Sequence, residues 1–294
     1  MRLKGSALAA SRDADGFIGG GALPNLVVIG AMKAGTTTLH TWLNQHPDIA
    51  MSSVKEINYF LAGPWERGVT WYARHFDPAA PLRGESSTSY TKFPQRTGVP
   101  ERMATVIPDA RLIYVLRDPV ERTVSHYLHA AQRGRERRSL AQALSVLEDN
   151  VYVDPSRYHV QLRQYLPYFP LTQILILTTE ELSREPGSTL ARILTFLDAR
   201  AFEFDAARLE NVAARRGHDT AVGRVLESYR AKRIGRHMPR AAVNLAKRVN
   251  VRFSRKVARP TPDPRTRKRL AAYLADDVDR LRALTGQPFN DWSL

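Results

Sequence analysis

Apolar residues in this chain gather in a few short unbroken runs, and the stretches between them carry helical spacing. LVVIG at 26–30 is continuously apolar and rich in β-branched residues, as expected of a parallel strand buried on both faces. From Thr36 the spacing turns helical, with Leu39, Trp42 and Leu43 on one face and His46-Pro47 as the stop. RLIYVLR at 111–117 reads as a second strand, and Asp118-Pro119 starts a helix with Asp as N-cap and Pro at the first helical position. A helical stretch around 157–166 leads to a third strand, ILILTTE from Ile174. Amphipathic helices follow at Ser188–Leu197 and Pro264–Leu284. Strands separated by helices of this length predict an α/β fold, a central parallel sheet flanked by helices in three layers. Residues 1–23, with Gly16, Gly19, Gly20 and Gly21, read as a mobile arm ahead of a single domain over 24–294.

Candidate chemistry sits at the junctions. Gly30-AMKA-Gly35-Thr36-Thr37 lies between a strand and a helix, where successive backbone N–H groups and the helix dipole can hold an anion. The two glycines have Walker A spacing, but Thr36 stands where Walker A has its lysine, and Lys33 lies inside the loop. That argues against a magnesium-dependent NTPase. Arg117, at the end of its strand, points to the crevice where α/β folds bind ligands, and Ser125 follows about two turns into the next helix. A guanidinium and a hydroxyl suit a phosphate; the plainer alternative is an ion pair of Arg117 with Asp118 or Glu121. Of the eight His, none shows metal-ligand spacing, and His126 and His129 read as packing or helix-surface residues.

Composition narrows the chemistry further. With 43% hydrophobic and 25% charged residues this is a folding chain, and with no Cys it has no disulfide, thiolate metal site or Cys nucleophile. No run approaches the roughly 20 apolar residues of a membrane span. The expectation is a cytoplasmic chain, at most peripheral to a membrane. The net charge of +15 is uneven: residues 224–259 carry twelve Lys or Arg and one Glu. Apolar residues interleave with these arginines, so a basic helical segment at about 218–260 is expected, either lying on an anionic membrane or forming a lid over the acceptor cleft. No nucleic-acid module is present, so no nucleic-acid partner is expected.

LVVIGAMKAGTTTLHTWLNQHPDI and LIYVLRDPVERTVSHY together resemble the sulfotransferases that use 3′-phosphoadenosine 5′-phosphosulfate (PAPS), closest to the heparan sulfate N-/O-sulfotransferase domains and their bacterial relatives. The resemblance implies a P-loop-like three-layer sandwich and PAPS as donor, with no metal. It implies that Lys33, Ala34, Gly35, Thr36, Thr37 and Thr38 hold the 5′-phosphate and sulfuryl group, and that Arg117 and Ser125 bind the 3′-phosphate. By the same resemblance Glu56, in VKEINYF, is the catalytic base, and Lys33 neutralises charge on the departing oxygen. On the residues alone, a Lys55–Glu56 surface pair is the simpler reading. Arg122 fits the motif too, or pairs within its helix.

Two positions depart from the family. GESSTSY (Gly84–Tyr90) puts Ser86 where the heparan sulfate enzymes have an active-site lysine, and Asn58 replaces a His. Both lie near the acceptor, so the implied carbohydrate or glycolipid acceptor rests on the family alone. The family's Lys-Gly-Arg loop against the 3′-phosphate has no clean match; Arg215-Arg216-Gly217 and Lys256 to Arg259 are the two candidates to replace it, and neither is assigned. The remaining alternatives are a P-loop nucleotide kinase or NTPase, and a non-catalytic protein binding membranes or polyanions.

Overall fold

The computed structural model describes residues 17–18, 21–205 and 262–294. Five parallel strands form one sheet: β1 (Leu26–Gly30), β2 (Ile49–Met51), β3 (Leu82–Ser86), β4 (Arg111–Leu116) and β5 (Ile174–Thr178), in the order β2-β3-β1-β4-β5. The longer helices are α1 (Thr36–Leu43), α2 (Val99–Val106), α3 (Pro119–Gln132), α4 (Tyr158–Arg163), α5 (Pro186–Leu197) and α6 (Pro264–Thr285). All of β1, and β4 from Leu112 to Leu116, are buried, which is why their sequences run apolar without alternation. From β1 the chain passes to the edge strand β2 and returns to β3 beside β1, then crosses to β4 and β5 on the other side of β1. The switch point therefore lies at the carboxyl ends of β1 and β4, where an open α/β sheet binds its ligand.

Three strands are legible from apolar runs; β2 and β3 are not. β2 is too short to show a pattern, and β3 reads LRGES, with a buried carboxylate. Glu85 is fully buried and accepts hydrogen bonds from Tyr72 (2.5 Å), Ser87 (2.6 Å) and Tyr90 (2.9 Å). Burial pushes its pKa up, and the donors Ser87, Tyr72 and Tyr90 pull it back. Glu85→Ala would leave three hydroxyls without their acceptor. The expected result is a loss of about 3 kcal/mol or more, read as a drop in Tm of roughly 10 °C by thermal unfolding. Glu85→Gln, which keeps an acceptor oxygen, should lose less.

The C-terminal helix closes the domain. Asp277 on α6 accepts from the His159 N–H (2.9 Å) and the Val160 N–H (3.1 Å), capping the start of α4. Burial raises its pKa to about 6. Leu270 and Leu274 pack with Val120 and Val124 of α3 in a second apolar cluster. Part of the expected arm is ordered: Phe17–Ile18 pairs antiparallel with Gly21–Ala22, and Ala22 is buried. The rest of that arm, the basic segment over 218–260 and Arg215 to Gly217 lie outside the described residues.

Candidate active site

The loop after β1 is built around close approach. A Cβ on Gly30 would come within 2.1 Å of the Thr91 hydroxyl, so only glycine lets the 88–91 turn seat against the loop. Gly35 (φ 96°) and Lys33 (φ 76°) both adopt left-handed backbone. Their turns aim the loop past the start of α1, which has no side-chain cap and no acid in its first turn. The N–H groups of Gly35, Thr36 and Thr37 have no hydrogen-bond acceptor among the described residues. Open N–H donors at the positive end of a helix dipole make an anion seat. Thr36 and Thr38 are buried, Thr37 is exposed and Lys33 is half-buried. Ala34 is buried beneath them, its carbonyl accepting from the Thr179 hydroxyl (2.6 Å).

Arg117 reaches this loop. Its guanidinium donates to the Lys33 carbonyl (3.4 Å) and stands 4.0 Å from Glu121, an acid also held by Arg267 at 2.9 Å. The contact with Glu121 is the ion pair of the plainer sequence reading, and the same guanidinium also reaches the loop. Its backbone is fixed by Tyr158, whose hydroxyl donates to the Arg117 carbonyl (2.8 Å). The next residue, Asp118, caps α3 by accepting from Glu121 N–H (3.0 Å) and accepts from Ser293 N–H (2.6 Å). Ser125 is half-buried one turn after Glu121 on α3, and no hydrogen bond ties it to Arg117.

Arg122 does not pair with an acid of its helix. It is fully buried and donates to Ser156, to the Tyr152 carbonyl and, at 3.4 Å, to the Met32 carbonyl in the loop. It therefore ties α3 and the 152–156 segment to the anion loop. His126, one turn on, packs edge-on against Tyr152. Burial, then Arg122, Lys92, His129 and Lys33, lowers its pKa to about 2, so its imidazole is neutral. The packing role expected of His126 is met, though amid a cluster of cations.

Glu56 sits beside the end of β3 in a strained turn: Glu56 has φ 61° and Asn58 φ 57°. Left-handed backbone in two non-glycine residues costs about 1 kcal/mol or more each and needs outside support. The GESSTSY segment supplies it. Glu56 N–H donates to the Ser86 carbonyl (3.0 Å), and Asn58 N–H donates to the Ser87 hydroxyl (3.0 Å). The Thr88 N–H (2.9 Å), the Thr88 hydroxyl (3.0 Å) and Lys55 (3.0 Å) fix the Glu56 carboxylate. The Lys55–Glu56 pair exists, but it is one of three restraints that orient a partly exposed carboxylate.

Sequence reasoning missed one charged neighbour. Lys92 is half-buried just past the 88–91 turn, in the electrostatic field of Glu56 and Arg122. Nothing in the spacing of TKFP marks it. Among the described residues no group of His, Asp and Glu could hold a metal ion, and no helix is long and apolar enough to cross a membrane.

A family of sulfotransferase domains matches residues 23–215. The chain is 29% identical over 282 residues to the membrane-associated sulfotransferase kil1 of Dictyostelium discoideum, covering 65% of this chain and 59% of that one. It is 29% identical over 204 residues to the bifunctional heparan sulfate N-deacetylase/N-sulfotransferase 2 of Homo sapiens, covering 61% of this chain and 22% of that one. The chain thus spans less than two thirds of the length of these curated relatives. A crystal structure of a sulfotransferase from Alicyclobacillus acidocaldarius matches with a TM-score of 0.66 at 25% identity, covering 93% of this chain and 100% of that one.

Proposed function

The chain belongs to the sulfotransferase domain family, and from that premise we propose that it moves a sulfuryl group from PAPS to a hydroxyl or amine of a carbohydrate or glycolipid acceptor. The observation that carries this reading is the uncapped start of α1, with its open N–H groups, and Arg117 reaching across to the same loop. That donor set fits a nucleotide with phosphates at both ends. Gly35, Thr36, Thr37 and Thr38 hold the 5′-phosphate end, with Ala34 as the buried floor of the loop. Arg117 and Ser125 hold the 3′-phosphate. When bound, PAPS supplies an activated sulfuryl group. Lys33 places an ammonium beside the phosphate oxygen that gains charge, and Glu56 accepts the proton of the acceptor hydroxyl or amine. The GESSTSY segment keeps that carboxylate in one orientation.

The acceptor class is supported by the human relative, which is named for heparan sulfate, a carbohydrate. A cytoplasmic location with peripheral contact to an anionic membrane through 224–259 completes the proposal. It is supported by the charge of that segment and by the Dictyostelium relative, which is described as membrane-associated. No nucleic-acid partner is part of this reading.

The cofactor assignment is tested by calorimetry with adenosine 3′,5′-bisphosphate (PAP) and with AMP. PAP is expected to bind at least about tenfold more tightly, because only it has the 3′-phosphate that Arg117 grips. Equal affinity would remove Arg117 and Ser125 from the site.

A further inference from the structure

Lys92 has no part in the roles above, yet its backbone is clamped on both sides. The Thr91 hydroxyl donates to the Ile29 carbonyl (3.2 Å), at the edge of the anion loop. On the other side Phe93 N–H donates to Gln161 Oε1 (2.8 Å), and Gln161 Nε2 donates back to the Phe93 carbonyl (2.7 Å). The 88–91 turn also carries Thr88, which holds Glu56. One short turn therefore fixes the candidate base and Lys92 against the same loop.

The surroundings of Lys92 are cationic. Glu56 is the acid that faces it, while Arg122, Arg96 and Arg135 raise the positive field, and His126 senses both Lys92 and Lys33. Glu56 is already engaged by Lys55 and Thr88. The Lys92 ammonium makes no ion pair or hydrogen bond among the described residues. A half-buried ammonium facing guanidinium groups is unfavourable unless an anion completes the cluster.

We propose that Lys92 is a further catalytic residue, its ammonium contacting the sulfuryl oxygens on the Glu56 side while Lys33 serves the 5′-phosphate side. The inference rests on the sulfotransferase reading above. Glu56 takes the acceptor's proton as the acceptor–sulfur bond forms. The electron pair of the breaking sulfur–oxygen bond leaves with the phosphate, where Lys33 stabilises it. Lys92 keeps its own proton and only offsets charge on the sulfuryl oxygens.

Calorimetry on the full chain tests this without knowledge of the acceptor. The probes are PAP, which has no sulfuryl group, and a non-transferable PAPS analogue with a methylene at the bridging oxygen. Lys92→Met is expected to weaken the analogue about tenfold and PAP by no more than about twofold. Burial, against the opposing pull of Glu56, brings the Lys92 pKa down to about 8. Wild-type affinity for the analogue should therefore fall as pH rises past 8, where the ammonium is lost. Lys92→Arg, charged throughout, should keep the affinity and lose that pH dependence. Equal effects on both probes, no effect of Lys92→Met, or an unchanged alkaline fall in Lys92→Arg would overturn the proposal. A wild-type protein that binds neither probe would sink the sulfotransferase reading itself, and this inference with it.

Discussion

Lys33→Ala is expected to lower kcat for sulfuryl transfer about a thousandfold while weakening PAP only about tenfold. The split follows from the position of the side chain. Lys33 sits in the loop at φ 76°, so alanine meets the same backbone cost that lysine already bears. Its carbonyl, which accepts from Arg117, survives the substitution. The open N–H groups of Gly35, Thr36 and Thr37 belong to the backbone and remain, so the ground-state anion keeps most of its donors. What disappears is a charge placed where the leaving oxygen becomes more negative, and such a group contributes most in the transition state. Transfer of label from radiolabelled PAPS to the acceptor fraction of a cell extract gives kcat, and calorimetry gives the PAP affinity. Equal losses in both would make Lys33 a binding residue only.

The anion loop was legible because its parts are local: a buried strand, a glycine turn and a helix start occupy consecutive residues. Arg117 was legible for the same reason, at the end of an apolar run. What escaped depends on partners distant in sequence. β3 looks like a loop in sequence because Glu85 and Ser86 break its apolar pattern. It becomes a central strand only because Tyr72, Ser87 and Tyr90 satisfy the buried carboxylate. Arg122 reads in sequence as a motif residue or as one that pairs within its helix; it does approach His126 of that helix (3.5 Å), but its other acceptors, Met32, Tyr152 and Ser156, lie on segments distant in sequence. Lys92 is an ordinary lysine in a polar stretch until the fold brings Glu56 and Arg122 to face it. The charge surplus on 224–259 is a separate matter: it lies outside the described residues, and the uncapped start of α1 with Lys33 and Arg117 beside it owes little to net charge.

Glu56→Gln is expected to lower kcat by a factor of about a hundred to ten thousand, the range for loss of a positioned general base. PAP affinity should hardly change, since Glu56 is bonded to Thr88 and Lys55 and no contact ties it to the anion loop. Glutamine keeps the shape and one acceptor oxygen, so one of the two Thr88 bonds is retained. The left-handed turn is held through the Ser86 carbonyl and the Ser87 hydroxyl, neither of which the substitution touches. The fold around Glu56 should therefore survive, and Tm should move by no more than a few degrees. Glu56→Ala frees Thr88 and Lys55 as well, so a further drop in kcat beyond Glu56→Gln would measure positioning apart from proton transfer. The same labelled-PAPS assay reads both variants. Full activity in Glu56→Gln would mean that the acceptor's proton leaves by another route.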